Sequence, residues 1–206
     1  MGGLVSKLKK LFGQAAEESS DAANETGIHL PPEDEPIDVS FARNFSENAL
    51  GFLYVQDETE LLEGMREVAK EFGLHQILAI DPKMQSILER SKLNWSAESE
   101  SENDAILTPC EFLVAYNGAA VLCNKQTGGK RWGELPEMHI IVGYTHQLVP
   151  KMGDAMSGIR KQYGDDRPQG ITGIGGITIN SDKRSSLIPE EKGKKLFLFL
   201  VESSIH

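Results

Sequence analysis

Hydrophobic positions along the chain switch between two periods, and the switching sets the fold class. Residues 51–56 (GFLYVQ) are a short apolar run with the length and residue types of a strand. Leu61, Met65, Val68, Ala69 and Phe72 then recur at helical spacing and predict a helix. Asp57, with Glu60 three residues on, resembles a capping box at its start, and Gly73 supplies its stop. A second strand is predicted over residues 76–80. Asp81-Pro82 then forms an N-cap and first-turn pair for a short helix reaching Glu89. Further strands are predicted at 105–108, 119–123, 139–143 and 196–201, the last two strongly apolar. Pro150 opens a helix whose stripe is Met152, Ala155, Met156, Ile159 and Tyr163, a pattern that reads as core packing and not as a cofactor box. Residues 171–179 are rich in β-formers but broken by Gly173, Gly175 and Gly176. Strands alternating with helices imply an α/β domain, an open three-layer arrangement of a mixed or mostly parallel sheet with helices on both faces.

The chain is 206 residues long, which suits one domain plus a segment that adds nothing to the core. Residues 13–40 are acidic and rich in Ser, Ala and Pro. They are expected to be a disordered linker, because they bury too little apolar surface to offset ordering entropy. The domain is therefore expected to begin near Phe41 and run to residue 206. Residues 1–12 place Leu4, Leu8, Leu11 and Phe12 on one helical stripe with Lys7, Lys9 and Lys10 around it. Such a basic amphipathic segment docks on a partner or an anionic surface, or else is a frayed start.

Charge sharpens this division. The formal net charge is −10. Residues 1–12 carry three lysines and no acid (+3), and residues 13–40 carry eight acids and no Lys or Arg (−8). The remainder holds 23 acids and 18 bases (−5). A mildly acidic domain argues against nonspecific nucleic-acid binding. The two cysteines, Cys110 and Cys123, form no CxxC pair and fit a reducing, cytoplasmic setting. No apolar run approaches the roughly 20 residues of a membrane span, so no stable insertion is expected.

The stretch 109–163 carries a family resemblance. Glu111 stands as an acidic residue before a short apolar run, followed by the turn Asn117-Gly118-Ala119. Then come Gly129-Lys130-Arg131, Pro136, the strand His139-Ile140-Ile141-Val142, and Gln147-Leu148-Val149 entering a helix. This pattern resembles the LUD (lactate-utilisation) domain family, whose members include lactate-utilisation protein C. The closing LFLFLVE over 196–202 is also similar to the family's last strand. The resemblance covers about 160 residues, with its specific matches in the second half. It implies a fold similar to the NagB/RpiA/CoA-transferase class and an accessory role in lactate or organic-acid oxidation beside iron–sulfur subunits. The family's Gly-Pro-Ser-Arg-Thr-Ala-Asp-Ile-Glu motif is replaced at 173–181 by GIGGITINS, and Asn117 stands where the family usually has Thr. An anion site built on that motif is lost or rebuilt here.

Several positions are candidates for chemistry. Lys130 and Arg131 follow Gly128-Gly129, where backbone amides and two cations would hold a small anion; the alternative is a surface turn. His146 lies past a strand end, where open α/β sheets gather ligands, and is otherwise an exposed loop residue. Asn117, Gly118, Gly173, Gly175 and Gly176 would let backbone approach a ligand closely, or else mark a bend. Glu111 is the one catalytic candidate. It would be an attacking carboxylate by analogy with CoA-transferase enzymes, and by default a helix-start acid. Cys110 beside it reads as structural, since a neighbouring carboxylate raises a thiol's pKa. The five histidines show no metal-ligand spacing, so neither metal nor cofactor is expected. Three functions follow: an accessory LUD-type subunit, an enzyme of CoA-transferase or sugar-phosphate-isomerase type, or a small-anion sensor.

Overall fold

A computed structural model describes residues 35–98, 102–176 and 194–202. Its centre is a six-stranded sheet in the order β1-β10-β7-β4-β2-β3, with every neighbouring pair parallel. The strands are β1 (Gly51–Val55), β2 (Ile77–Leu78), β3 (Trp95–Ser96), β4 (Ala105–Pro109), β7 (Met138–Tyr144) and β10 (Lys195–Val201). Helices α2 (Glu58–Glu71) and α3 (Pro82–Arg90) cover one face, where Leu61, Met65, Val68, Met84 and Leu88 meet Leu107, Ile140, Phe197 and Phe199. The three-layer α/β class read from the periodicity is the fold observed.

The caps form largely where the sequence places them. Asp57 Oδ1 accepts from the Glu60 amide at 2.9 Å, but Glu60 reaches back to the Gln56 amide, one residue before the cap. Asp81 accepts from the amides of Lys83 (2.9 Å) and Met84 (3.3 Å). Gly73 takes φ +63° after α2, a left-handed value that suits glycine.

The opposite face differs from the simple alternation. It carries α1 (Ile37–Ser46) and a second sheet in the order β8-β5-β6-β9. These strands are β5 (Phe112–Val114), β6 (Ala119–Leu122), β8 (Leu148–Val149) and β9 (Thr172–Ile174). β6 pairs antiparallel with β5 and β9, whereas β8 pairs parallel with β5. Between the sheets lie Phe41, Phe45, Leu113, Ala120, Leu122, Ile141 and Leu198. Helix α5 (Met152–Tyr163) packs on the far side of the small sheet, and its Met152 and Met156 are core contacts, as the stripe predicts.

The expected boundary near Phe41 needs correction. Helix α1 starts at Ile37, after Pro36, whose fixed φ suits a helix entry. Residues 37–40 therefore belong to the domain and not to a linker. Residues 1–34 and 177–193 lie outside the described residues, and with them the basic segment, most of the acidic stretch and positions 177–181 of the altered family motif. Among the described residues, no helix is long and apolar enough to cross a membrane.

Candidate functional site

The chain leaves β4 at Pro109 and bends through Cys110 and Glu111 into β5. The Glu111 N–H donates to Val121 O at 2.8 Å and fixes the bend against the end of β6. Its side chain turns inward and is 7% exposed. Oε1 accepts from the Gln126 amide at 2.7 Å and from the Tyr163 hydroxyl at 2.8 Å. The Cys123 thiol lies 3.4 Å from the same oxygen and 2.9 Å from Gln126 Oε1, and its single proton serves one of them.

Each donor is set by its element. Gln126 lies in the short helix α4 (Asn124–Thr127), and its Oε1 accepts from the Cys123 amide at 2.7 Å, so the residue that caps α4 also presents Nε2 to Glu111. Tyr163 is the last residue of α5, and Lys125 Nζ sits 4.2 Å from its ring centroid. Gln147 laces the bend from the other side. Its Nε2 donates to Cys110 O at 2.6 Å, and its Oε1 accepts from the Tyr144 amide at 2.7 Å. The turn after β7 and helix α4 therefore converge on Cys110-Glu111 at the carboxyl ends of the parallel strands.

The electrostatics follow from burial. Burial first, and Glu111 second, raise the Cys110 thiol well above its ordinary value. The Cys123 thiol and the Tyr163 hydroxyl also rise, again chiefly through burial, with the Glu111 carboxylate adding to the effect. All three stay protonated at neutral pH, so Tyr163 acts as a neutral donor toward the carboxylate, while the single Cys123 proton goes either to it or to Gln126 Oε1. Glu111 is not a helix-start acid. It stands between two strands, and its donors come from two helices.

The other candidates divide into groups. Gly128 lies on the same rim, 2.9 Å (from a built Cβ) from the Ile80 side chain beyond β2. The expected anion cradle is not available, however. The Gly128 and Gly129 amides donate to Asn124 O, Lys130 N–H to Thr127 O, and Arg131 N–H to Glu134 Oε2 at 2.9 Å. The turn is the C-cap of α4, with φ of +61° at Gly128 and +76° at Gly129. Lys130 and Arg131 do not reach the Glu111 carboxylate. His146 is exposed in the turn Thr145–Gln147 and stacks on Tyr144 with ring centroids 5.6 Å apart.

Asn117, Gly118, Gly175 and Gly176 gather around the opposite end of β6 from Glu111, whereas Gly173 pairs with Val121, across β6 from the Glu111 bend. Asn117 Oδ1 accepts from the Ala119 amide at 3.3 Å. A Cβ on Gly118 would stand 2.3 Å from Phe45 N, and one on Gly175 would stand 2.8 Å from the Phe45 ring. One on Gly173 would meet Met152 at 3.1 Å, and one on Gly176 would meet Asn117 Nδ2 at 3.0 Å. What most of these backbones approach is α1 and the neighbouring turn. Sequence reasoning missed Gln126, Tyr163 and Gln147 as the groups around Glu111. Only Gln126 had a local signal, its position three residues after the Cys123 cap. Among the described residues, no group of three or more His, Cys, Asp or Glu side chains is placed to hold a metal ion.

The fold matches that of a DUF162 family protein from Deinococcus radiodurans with a TM-score of 0.57. This chain shares that protein's fold. The match spans 81% of this chain and 96% of the other at 18% sequence identity. DUF162 is a family that includes LUD-domain proteins, so the neighbour and the sequence resemblance point to one architecture. No protein-family model matches the chain, and no curated protein matches it.

Proposed function

We propose that the chain is an accessory, LUD-type subunit of a lactate or organic-acid oxidising system and works beside iron–sulfur partner proteins. The observation that supports this reading is the engagement of Glu111. An attacking carboxylate of the CoA-transferase kind must be open to approach by its substrate. Here Oε1 accepts from Gln126 and Tyr163 with the Cys123 thiol beside it, and the whole side chain, Oε2 included, lies in a residue only 7% exposed. That arrangement suits a carboxylate that braces α4 and α5 against the strand ends. The sequence resemblance supplies the partner class, and the spent amides of residues 128–131 weigh against the small-anion sensor.

The test is co-expression with the iron–sulfur and Cys-rich subunits of a lactate-oxidising system. With a tag on this chain, iron–sulfur absorbance is expected to co-elute, and lactate-dependent dye reduction is expected to fall when the chain is omitted. A Glu111→Gln variant that still folds is expected to keep most of that rate. Turnover of an acyl-CoA or sugar phosphate by the chain alone, abolished in Glu111→Gln at an unchanged melting temperature, would replace the accessory reading with the enzyme reading.

A further inference from the structure

The large apolar side chains left exposed among the described residues are not scattered. Ile37, Val39, Leu50, Tyr54 and Phe72 are exposed, Val39 by 50%, and all five lie between positions 37 and 72. The first four lie on α1, directly before β1 or in β1, an edge strand whose neighbour in the sheet is β10; Phe72 follows α2 on the other face, against Phe197. Edge strands are normally blunted by charge, proline or brevity. β3, at the other edge, is two residues long. β1 reads Gly-Phe-Leu-Tyr-Val, five residues without a charge or proline.

The same flank is acidic. Residues 35–57 hold Glu35, Asp38, Glu47 and Asp57 against Arg43 alone, or −3, and Arg43 is already paired with Glu35. Burial first, then Glu202 and Asp38, raise the Tyr54 hydroxyl, which puts two carboxylates around the exposed ring. A second copy would bring the same negative charge to this surface. The occupant that fits is apolar and basic.

We propose that the α1–β1 flank is the docking seat of the chain's own first twelve residues. That segment offers Leu4, Leu8, Leu11 and Phe12 on one stripe and Lys7, Lys9 and Lys10, or +3, against the −3 of the seat. Residues 13–34 join it to Glu35, directly before α1. Those 22 residues span at most about 75 Å. The tether thus ends on the seat itself, and docking is intramolecular at high effective concentration. Occupancy covers the open edge and withholds it from other strands.

The experiment uses the full chain, isotope-labelled, with a nitroxide on a Ser6→Cys variant; the native thiols are buried. Amides within residues 37–56 are expected to broaden at low ionic strength. They are expected to recover in high salt, which screens surface charge, and in a Lys7→Glu, Lys9→Glu, Lys10→Glu variant. Absence of broadening there, broadening of a different surface, or persistence in the charge-reversed variant would each overturn the proposal. So would broadening of an unmodified labelled chain mixed with spin-labelled chain, because the occupant would then be a second copy.

Discussion

His139 is a residue at which pH acts on this fold. It sits in β7 at 1% exposure, with Nε2 2.6 Å from Thr108 Oγ1 and its ring stacked on Trp132 at 5.0 Å. Burial, aided by the Lys194 charge, pushes its pKa down to about 3 from an ordinary value of 6.5. The unfolded chain therefore binds a proton between these values that the folded chain refuses. Stability is fully present above pH 6.5 and is lost as pH falls toward 3, at up to about 1.4 kcal/mol per pH unit. Asp104, whose carboxyl is lowered by the His75 and Gln76 amides, contributes in the same direction only below its ordinary 3.8. Urea unfolding between pH 4.5 and 6.5 is expected to show the His139 slope, and His139→Gln to flatten it. An equal slope in the variant would assign the effect elsewhere. At this scale the sequence was half legible. Glu111 stands out as an acid in a recognisable pattern, but Tyr163 lies 52 residues away and Gln147 36, and nothing local announces a long-range hydrogen bond.

Helix α1 shows what the glycines are for. Asn44 Nδ2 donates to Ala115 O at 2.7 Å and Tyr116 O at 3.2 Å, which draws the helix backbone onto the turn before β6. At Gly118, φ is +70° and the α1 backbone leaves no room for a Cβ. Gly118→Ala is expected to lose roughly 2–5 kcal/mol, combining left-handed strain with overpacking against backbone that cannot yield. Gly129, at φ +76° with nothing within 4 Å, carries the strain without the clash, so Gly129→Ala is expected to cost about 1–2 kcal/mol. Denaturant titration of the two variants distinguishes packing from conformation, and equal losses would contradict the close approach to α1. The elements themselves were legible in proportion to their length. β1, β4, β7, β10, α2 and α3 each span enough residues to show a period. β5, β8 and β9 are two or three residues long and buried or half-buried throughout. No alternation can appear in so short a run, so β5 and β8 do not read as strands; the strand at 119–123 and the β-rich run at 171–179 anticipate β6 and β9, but not their pairing into a second sheet.

For the whole molecule, the decisive strand is the last. β10 is inserted between β1 and β7; its seven residues pair in register with Met138–Tyr144 on one side, and its last five, Phe197–Val201, with Gly51–Val55 on the other. Its odd positions, Phe197, Phe199 and Val201, enter the core under α2 and α3. Its even positions, Leu196, Leu198 and Leu200, enter the core against α1 and the small sheet. One strand therefore closes both hydrophobic cores and supplies β1 with its neighbour in the sheet. Fully burying six such side chains stabilises the fold by roughly 9–18 kcal/mol. A typical domain's whole margin is about 5–15 kcal/mol. A chain ending at Lys194 is thus expected to lose cooperative unfolding and amide dispersion in solution, and not to survive as a smaller folded core. Retention of a sharp melting transition in that truncated chain would mean that β4 and β7 hold the sheet without β10. The parallel ladder argues against this, because β7 would face solvent where it now faces Phe197 to Leu200, and β1 would have no strand left to pair with.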